Sequence, residues 1–481
     1  MKLEITTIYF FKDLYYNTIM VIHKLIKDNY LHVPKSVIDS ERLKEETTIL
    51  NPEWISYSNF PAAKGSIPPK KYLRFYREDS DNFILPREFP ISKILKTSED
   101  LTLEDKTFAG NDIKLISKIK LKEEQVPAVE TMVNSKGGVL SFPCGCGKTI
   151  MALEAISRLK KRTIILVHTN VLMKQWKDRI KQFLGLKENQ IGIIGDGEID
   201  YKDKTITIGM VQSLLFSASV PDEVFKYFGI VVADEVHRHG GSEWSKVVHK
   251  FNASIKFGLT ATPHRSDGLE KIIFWAIGDI IYQGDNHALT PKFIPINTNT
   301  FFDTSNMTFW GTNKISLVKI ISKLTKDKER NKLIIDELIK YSNEDRKILL
   351  LSDRVKHLKD LITWFNNLKN KKVKTSLFIG EMKEDQRKKA MKADVLFATQ
   401  HIAKEGLDIP ELDTLFVVTP FANENRAKQS VGRILRKRPD KKQPIVIDFV
   451  DRNIDILRFM WVKRKKAYDS LLESNQMPLF K

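Results

Sequence analysis

The stretch FPCGCGKT, residues 142–149, decides the reading of this 481-residue chain. The apolar run GVLSF (138–142) leads into it, and the amphipathic stretch IMALEAISRLKK (150–161) leaves it. A strand therefore feeds a tight loop that opens a helix. Gly145 and Gly147 let the backbone turn its N–H groups inward around phosphate oxygens. The helix N-terminus adds its positive dipole end. Lys148 is placed to reach the β- and γ-phosphates of a nucleotide, and the Thr149 hydroxyl to hold Mg²⁺. One position departs from the full phosphate-loop pattern, which asks for Gly where this chain has Phe142; the shorter GxGKT form remains. The chain's two cysteines, Cys144 and Cys146, lie inside this loop. As small side chains they fit closely packed backbone; a redox-sensitive nucleotide site is the sharper reading.

Working outward, GIVVADEVH (229–237) is an apolar strand with adjacent acids at its end. Such acids need a cation, and Mg²⁺ supplies one. Asp234 then supports the metal, Glu235 polarises the attacking water as general base, and His237 faces the γ-phosphate region or the following motif. Around these two motifs, β-rich runs alternate with helical stretches. TIILVHT (163–169), TITIGM (205–210) and KFGLTAT (256–262) read as strands, and VLMKQWKDRIKQFL (171–184) as a helix. The rhythm restarts near 292 with KFIPINTNTF, RKILLLS, TSLFIG, ADVLFAT, TLFVVTP and PIVIDFV, joined by ISLVKIISKL, KERNKLIIDELIKY and RVKHLKDLITWFNNL. Such alternation predicts parallel sheets covered on both faces. The expected architecture is α/β: a small N-terminal α+β accessory domain over 1–105, then lobes over 106–290 and 291–475.

Bulk composition agrees with that size. Hydrophobic residues make up 42% and charged residues 29%, enough for real cores. The net charge of +19 attracts phosphate polyanions, although a Lys-rich genome would give the same excess. Two cysteines one residue apart staple no loop and make a poor zinc site, as expected in a reducing compartment. The N-terminal FKDLYYNTIMVIHKL carries charges and no small-residue cleavage site, so it reads as neither signal peptide nor membrane span. A cytoplasmic or nucleoid protein, or a viral one acting in its host, is expected, working as a monomer.

With these residues in view, DEVH resembles the DExH box of superfamily 2 helicases and translocases, and further motifs follow in that family's order. LKEEQ (121–125) is similar to the glutamine motif, which implies that Gln125 reads adenine. VHTNVLMKQW (167–176) looks like motif Ia, TAT (260–262) like motif III and SDR (352–354) like motif IV. The resemblance places Thr169, Thr260, Thr262, Ser352 and Arg354 along the nucleic acid. FATQHIAKEGLDIP (397–410) is similar to motif V, with Thr399 beside the strand and Gly406 and Asp408 near the ribose. QSVGRILR (429–436) looks like motif VI. On one helical face, Gln429, Gly432, Arg433 and Arg436 would cross to the γ-phosphate, the two arginines as fingers. Just beyond, RKRPDKK reads as a solvated charge run.

Within the superfamily the chain resembles the XPB-like branch found in phages and large DNA viruses. TPHRSDGL (262–269), with Ser266 in place of a central acid, and DKERNKLI (327–334) carry that likeness, and LPREF (85–89) extends it to the accessory domain. The resemblance implies two RecA-like lobes with ATP between them, Mg²⁺ as cofactor, and 3′→5′ movement on DNA, with RNA left open. A DExH RNA helicase, a motor subunit of a restriction or defence complex, and a binding module with a decayed motor are the alternatives. The aromatic-basic stretch KKYLRFYRE (70–78) reads either as a core strand or as a platform offering Tyr72 or Tyr76 to bases. Segment 433–481 carries 13 Lys and Arg against 6 Asp and Glu, as a solvated helix or a wall of the duplex path.

Overall fold

The computed structural model describes residues 23–59, 68–96, 101–142, 146–236, 241–261, 269–284, 289–308, 315–369, 372–400, 409–436, 438 and 440–473. Three main sheets follow one another along the chain. The first joins Arg77–Glu78, Asn82–Pro86, Tyr30–Pro34 and His23–Lys27 in antiparallel order, with Leu101–Asp105 added parallel at one edge. Helices Ser40–Thr47 and Pro52–Asn59 accompany it. Asp39 caps the first by accepting from the amides of Glu41 and Arg42.

The second sheet has eight strands in the order Glu198–Asp200, Ile191–Gly195, Ile206–Met210, Thr163–Val167, Ile230–Asp234, Ile255–Thr260, Gly137–Ser141 and Ile280–Gln283. All neighbours are parallel except the first pair. Thr163–Val167 and Ile230–Asp234 are buried at every residue, as strands between two helical layers must be. Alternation then serves two cores. Ile165 and Val167 pack on one face with Trp176 and Ile180, whereas Ile164 and Leu166 pack on the other with Val247 and Phe251. The third sheet repeats the plan with six parallel strands: Lys292–Asn297, Ile445–Val450, Thr414–Val417, Ile348–Ser352, Val395–Thr399 and Thr375–Phe378.

Three strands of the eight-stranded sheet were not anticipated. Ile191–Gly195 and Glu198–Asp200 form a hairpin whose two-residue loop is Asp196–Gly197, at φ +51° and +85°. Asp-Gly is the favoured pair for such a turn, so the signal was present in IGIIGDGEID. Ile280–Gln283 follows helix Glu270–Ile277 and closes the sheet edge beside Gly137–Ser141.

The 70–78 stretch divides. Tyr72–Arg74 pairs with Thr48–Leu50, and Arg77–Glu78 joins the five-stranded sheet. Phe75 meets Trp275 edge-on at 5.8 Å, and Tyr76 meets Phe83 at 6.1 Å, so these two aromatics serve the core. Tyr72 stays half exposed beneath the Lys71 ammonium.

Trp275 belongs by sequence to the eight-stranded unit but is buried in the core of the N-terminal sheet. Asn29 donates to the Lys250 carbonyl at 2.8 Å, Arg87 to that of Ala253, and the Tyr30 ring stacks on His249 at 5.0 Å. The N-terminal strands therefore share buried contacts with the eight-stranded unit. Deleting them uncovers Trp275, and re-exposing so large a side chain costs roughly 2–3 kcal/mol. We expect the melting transition of the remaining chain to fall by roughly 3–4 °C in calorimetry. An unchanged transition would show that these contacts add nothing to stability.

Candidate active site

The phosphate loop begins where Gly137–Ser141 ends. Cys144 and Gly145 lie outside the described residues. Phe142, the departure from the usual glycine, is buried and stacks on Tyr282 at 5.6 Å and 8°. Its side chain points into the core, so only its backbone faces the loop. Gly147 adopts φ +87°, and a Cβ there would lie 2.5 Å from Gln125 Nε2. Only glycine fits both constraints. Helix Lys148–Leu159 starts immediately after, with Lys148 buried and its Nζ donating to the Phe142 carbonyl at 2.9 Å. Thr149, half-buried, is the second residue of that helix.

Gln125 is buried against the loop. Its Nε2 donates to the Cys146 carbonyl at 2.9 Å, and its Oε1 accepts from the Lys122 amide at 3.0 Å. One amide hydrogen and one lone pair are left over for a further ligand. Cys146 itself is half-buried and not disulfide-bonded.

Asp234 ends its strand level with Leu259, which is level with Leu140. Two inter-strand spacings, about 10 Å, therefore separate the acid from the strand leading into the phosphate loop. Thr260 ends the strand between them and is fully buried. Asp234 is buried too, and Trp176 donates its indole N–H to Asp234 Oδ2 at 2.8 Å. Sequence reading missed this tryptophan, whose partner lies 58 residues away. Glu235 takes the left-handed φ of +53°, a conformation that costs energy for a side chain of this kind. That turn sends the chain out of the sheet directly after the acid pair. His237 and Thr262 lie outside the described residues. Thr169 caps helix Asn170–Leu184 by accepting from the Leu172 amide at 3.2 Å.

In the six-stranded unit, Ser352 is fully buried rather than facing outward. Its Oγ accepts from the Arg354 amide at 3.2 Å and lies 3.0 Å from His357 Nδ1. Ser352 and Thr260 thus share one placement: each is fully buried at the end of a strand of its sheet. His357 Nε2 meets Asn331 Oδ1 at 2.9 Å, which requires the proton on Nε2 and leaves Nδ1 to accept from Ser352. Arg354 is half-buried and donates to the Val318 carbonyl at 3.3 Å. Thr399, half-buried, ends Val395–Thr399; Gly406 and Asp408 lie outside the described residues.

Burial holds the pKa of His357 down to about 3, with the charge of Arg330 adding to the effect. Burial, then the charge of Lys256, does the same to His249, also to about 3. On unfolding, both return to about 6.5 and bind protons there. The unfolded chain therefore gains protons as pH drops below 6.5, and stability that is complete above that pH is lost toward 3. The melting temperature should fall between about pH 6.5 and 4, and less steeply in a His357→Gln variant. Parallel curves for the two would show that His357 titrates normally in the folded state.

The helix of the arginine motif is Glu424–Gly432, capped by Asn423. Gln429 is buried within it, and Arg426 pairs with Asp353. Arg433 is the C-cap residue, and Arg436 follows in irregular chain. The expected common helical face ends at Gly432, where glycine weakens the helix, so Arg436 is aimed by its loop. The RKRPDKK run is also more than a solvated surface. Lys441 Nζ donates to the carbonyls of Arg436 at 2.8 Å and Pro410 at 3.0 Å, tying the ends of two motifs together. Burial lowers its pKa to about 8. Arg438 pairs with Glu411.

The Gly147 cradle, closed to any Cβ, and the Lys148 ammonium at the loop mouth fit a polyphosphate. Among the described residues, no three His, Cys, Asp or Glu gather into a metal site. A Mg²⁺ here would therefore draw most of its ligands from water and phosphate, which is that ion's habit. Among the described residues no helix is long and apolar enough to cross a membrane.

Residues 118–265 match the family described as Type III restriction enzyme, res subunit, and residues 329–438 match the Helicase conserved C-terminal domain. A protein of Acanthamoeba polyphaga mimivirus, described as an ATP-dependent RNA helicase, is 30% identical over 449 residues, 90% of this chain and 83% of its own length. The DNA 3′-5′ translocase XPB2 of Sulfurisphaera tokodaii is 26% identical over 431 residues, 82% of this chain and 93% of that protein. The solved structure of S. cerevisiae Dbp5 bound to RNA and ADP BeF3 matches with TM-score 0.50 at 13% identity, covering 73% of this chain and 88% of that one. That last match is a likeness of fold alone: two RecA-like lobes, here the eight- and six-stranded sheets. Phosphate loop, DExH box and arginine motif, in that order on such lobes, with relatives of this kind, mean that the chain belongs to the superfamily 2 helicases and is a nucleic-acid-dependent ATPase.

Proposed function

We propose that this chain is an Mg²⁺-dependent DNA translocase that moves 3′→5′ and unwinds or remodels branched DNA. The observation that carries the chemistry is that Lys148 opens the helix after strand Gly137–Ser141, while Asp234 ends strand Ile230–Asp234 and Glu235 follows it, with one strand between the two in the same sheet. The direction and the DNA preference are supported by the archaeal relative, whose name states both.

On this reading, Lys148 leaves the Phe142 carbonyl for the β- and γ-phosphates when ATP enters. Thr149 and Asp234 would hold Mg²⁺, which when bound would supply positive charge against the transferred phosphoryl group. Glu235 accepts the proton of the attacking water. Arg433 and Arg436 approach from the other lobe, so hydrolysis follows closure of the cleft. Gln125, already bonded to the phosphate loop through Cys146, offers its remaining hydrogen and lone pair to adenine. Thr169, Arg354 and Thr399 sit at loops that meet the strand, with Gly406 and Asp408 near the ribose and the strand.

A second reading, an RNA helicase, is favoured by the description of the mimivirus relative. ATPase rates with single-stranded, duplex and branched DNA and with RNA, measured side by side, separate the two. Branched DNA should stimulate most; stronger stimulation by RNA would overturn the DNA assignment. Binding should also depend steeply on salt. With about six phosphates contacted, affinity falls on the order of a thousandfold between 50 and 200 mM salt. A flat titration would mean that the +19 charge forms no binding surface.

A further inference from the structure

Helix Asn170–Leu184 begins at the Thr169 cap, in the loop read above as meeting nucleic acid. Seven residues on, about two turns or roughly 10 Å along its axis, stands Trp176. It is 1% exposed, so its ring is locked in the lobe core with Met173 and Ile180. The indole N–H is a donor only. Its bond to Asp234 Oδ2 at 2.8 Å therefore fixes one carboxylate oxygen. Fixing one oxygen of a carboxylate fixes the direction of the other. The packed helix is thus a continuous rigid connection from the Thr169 loop to the acid assigned to the metal.

We propose that Trp176 is a positioning residue: it aims Asp234 at Mg²⁺ and carries nucleic-acid engagement at the Thr169 loop to the nucleotide site. This deepens the function proposed above and rests on it. A strand that pulls on the loop shifts the helix as a body, and the indole moves Asp234 with it. Loss of the bond leaves the lobe packed but removes the hold on Asp234 Oδ2.

Trp176→Phe in the full chain tests this, because phenylalanine keeps most of the packing and removes the donor. Binding of a fluorescent ATP analogue is titrated against Mg²⁺, with and without single-stranded DNA. Without Mg²⁺, affinity should match the wild type within about twofold; the Mg²⁺ needed for half-maximal binding should rise on the order of tenfold, as for other lost supports of a metal ligand. The shift in that midpoint caused by DNA in the wild type should vanish in the variant. A folded variant with the wild-type midpoint and DNA effect overturns the proposal and leaves Trp176 a packing residue. A wild type insensitive to nucleic acid refutes instead the reading on which it rests. Should Trp176→Phe not fold, the wild-type chain labelled with fluorotryptophan provides the second measurement. Adding the nucleotide with Mn²⁺ in place of Mg²⁺ should strongly broaden one indole fluorine resonance, and no broadened resonance overturns the proposal.

Discussion

Arg436→Ala should bind ATP within a few-fold of wild type and hydrolyse it slower by roughly 10³ or more, the scale of a lost arginine finger. The reason is a division of labour between lobes. On the proposed function, Lys148, the loop amides and Mg²⁺ would hold the phosphates from the first lobe, whereas Arg436 would answer charge that develops only in the transition state. Stimulation by DNA should disappear with the turnover, because nucleic acid acts by favouring the closed cleft that brings the arginine in. Arg436 leaves the helix after Gly432 and is aimed by a loop whose carbonyl Lys441 holds at 2.8 Å. Arg436→Lys should therefore rescue little, since an ammonium cannot reproduce the planar fork. Nucleotide affinity is read with a fluorescent analogue and turnover with and without DNA. A variant still stimulated by DNA would show that Arg436 does not reach the γ-phosphate.

Glu235→Gln should retain ATP and lose turnover by roughly 10²–10⁴, the range for a general base. The amide keeps the shape of the side chain and cannot take the proton of water. Lys148→Ala should differ in kind: turnover is abolished and nucleotide affinity drops as well, because the ammonium contributes in the ground state. The pair of variants thus separates binding from chemistry in one assay. Trapped ATP on the Glu235→Gln chain, with nucleic acid still bound, is the expected intermediate state. Wild-type hydrolysis by that variant would mean that another group activates the water.

Most of the architecture was legible because it is written locally. Apolar runs such as TIILV and IVVAD, separated by amphipathic stretches, dictate parallel strands and covering helices through periodicity alone. The phosphate loop and the acid pair are likewise contiguous segments whose chemistry needs those residues side by side, so Lys148, Thr149, Asp234 and Glu235 stand out in the sequence as candidates. The Asp196–Gly197 hairpin is signalled by its turn, but its strands are short and the first carries two glycines, so periodicity is faint.

What tertiary structure alone decided are contacts between segments with no local signature. Nothing near Phe142 in sequence tells that its ring turns away from the loop onto Tyr282. Trp176 looked like one more apolar position of a helix until its indole was found on Asp234. Trp275 follows the rhythm of its own lobe yet completes the core of another domain. Ser352 and Thr260 lie in motif segments, but their hydroxyls are buried, and Lys441 lies in a charge run, but its ammonium joins Pro410 to Arg436. Sequence specifies the backbone period and the chemical groups available. Which groups meet depends on how separate elements pack, and a donor finds its acceptor only when packing has excluded water from both.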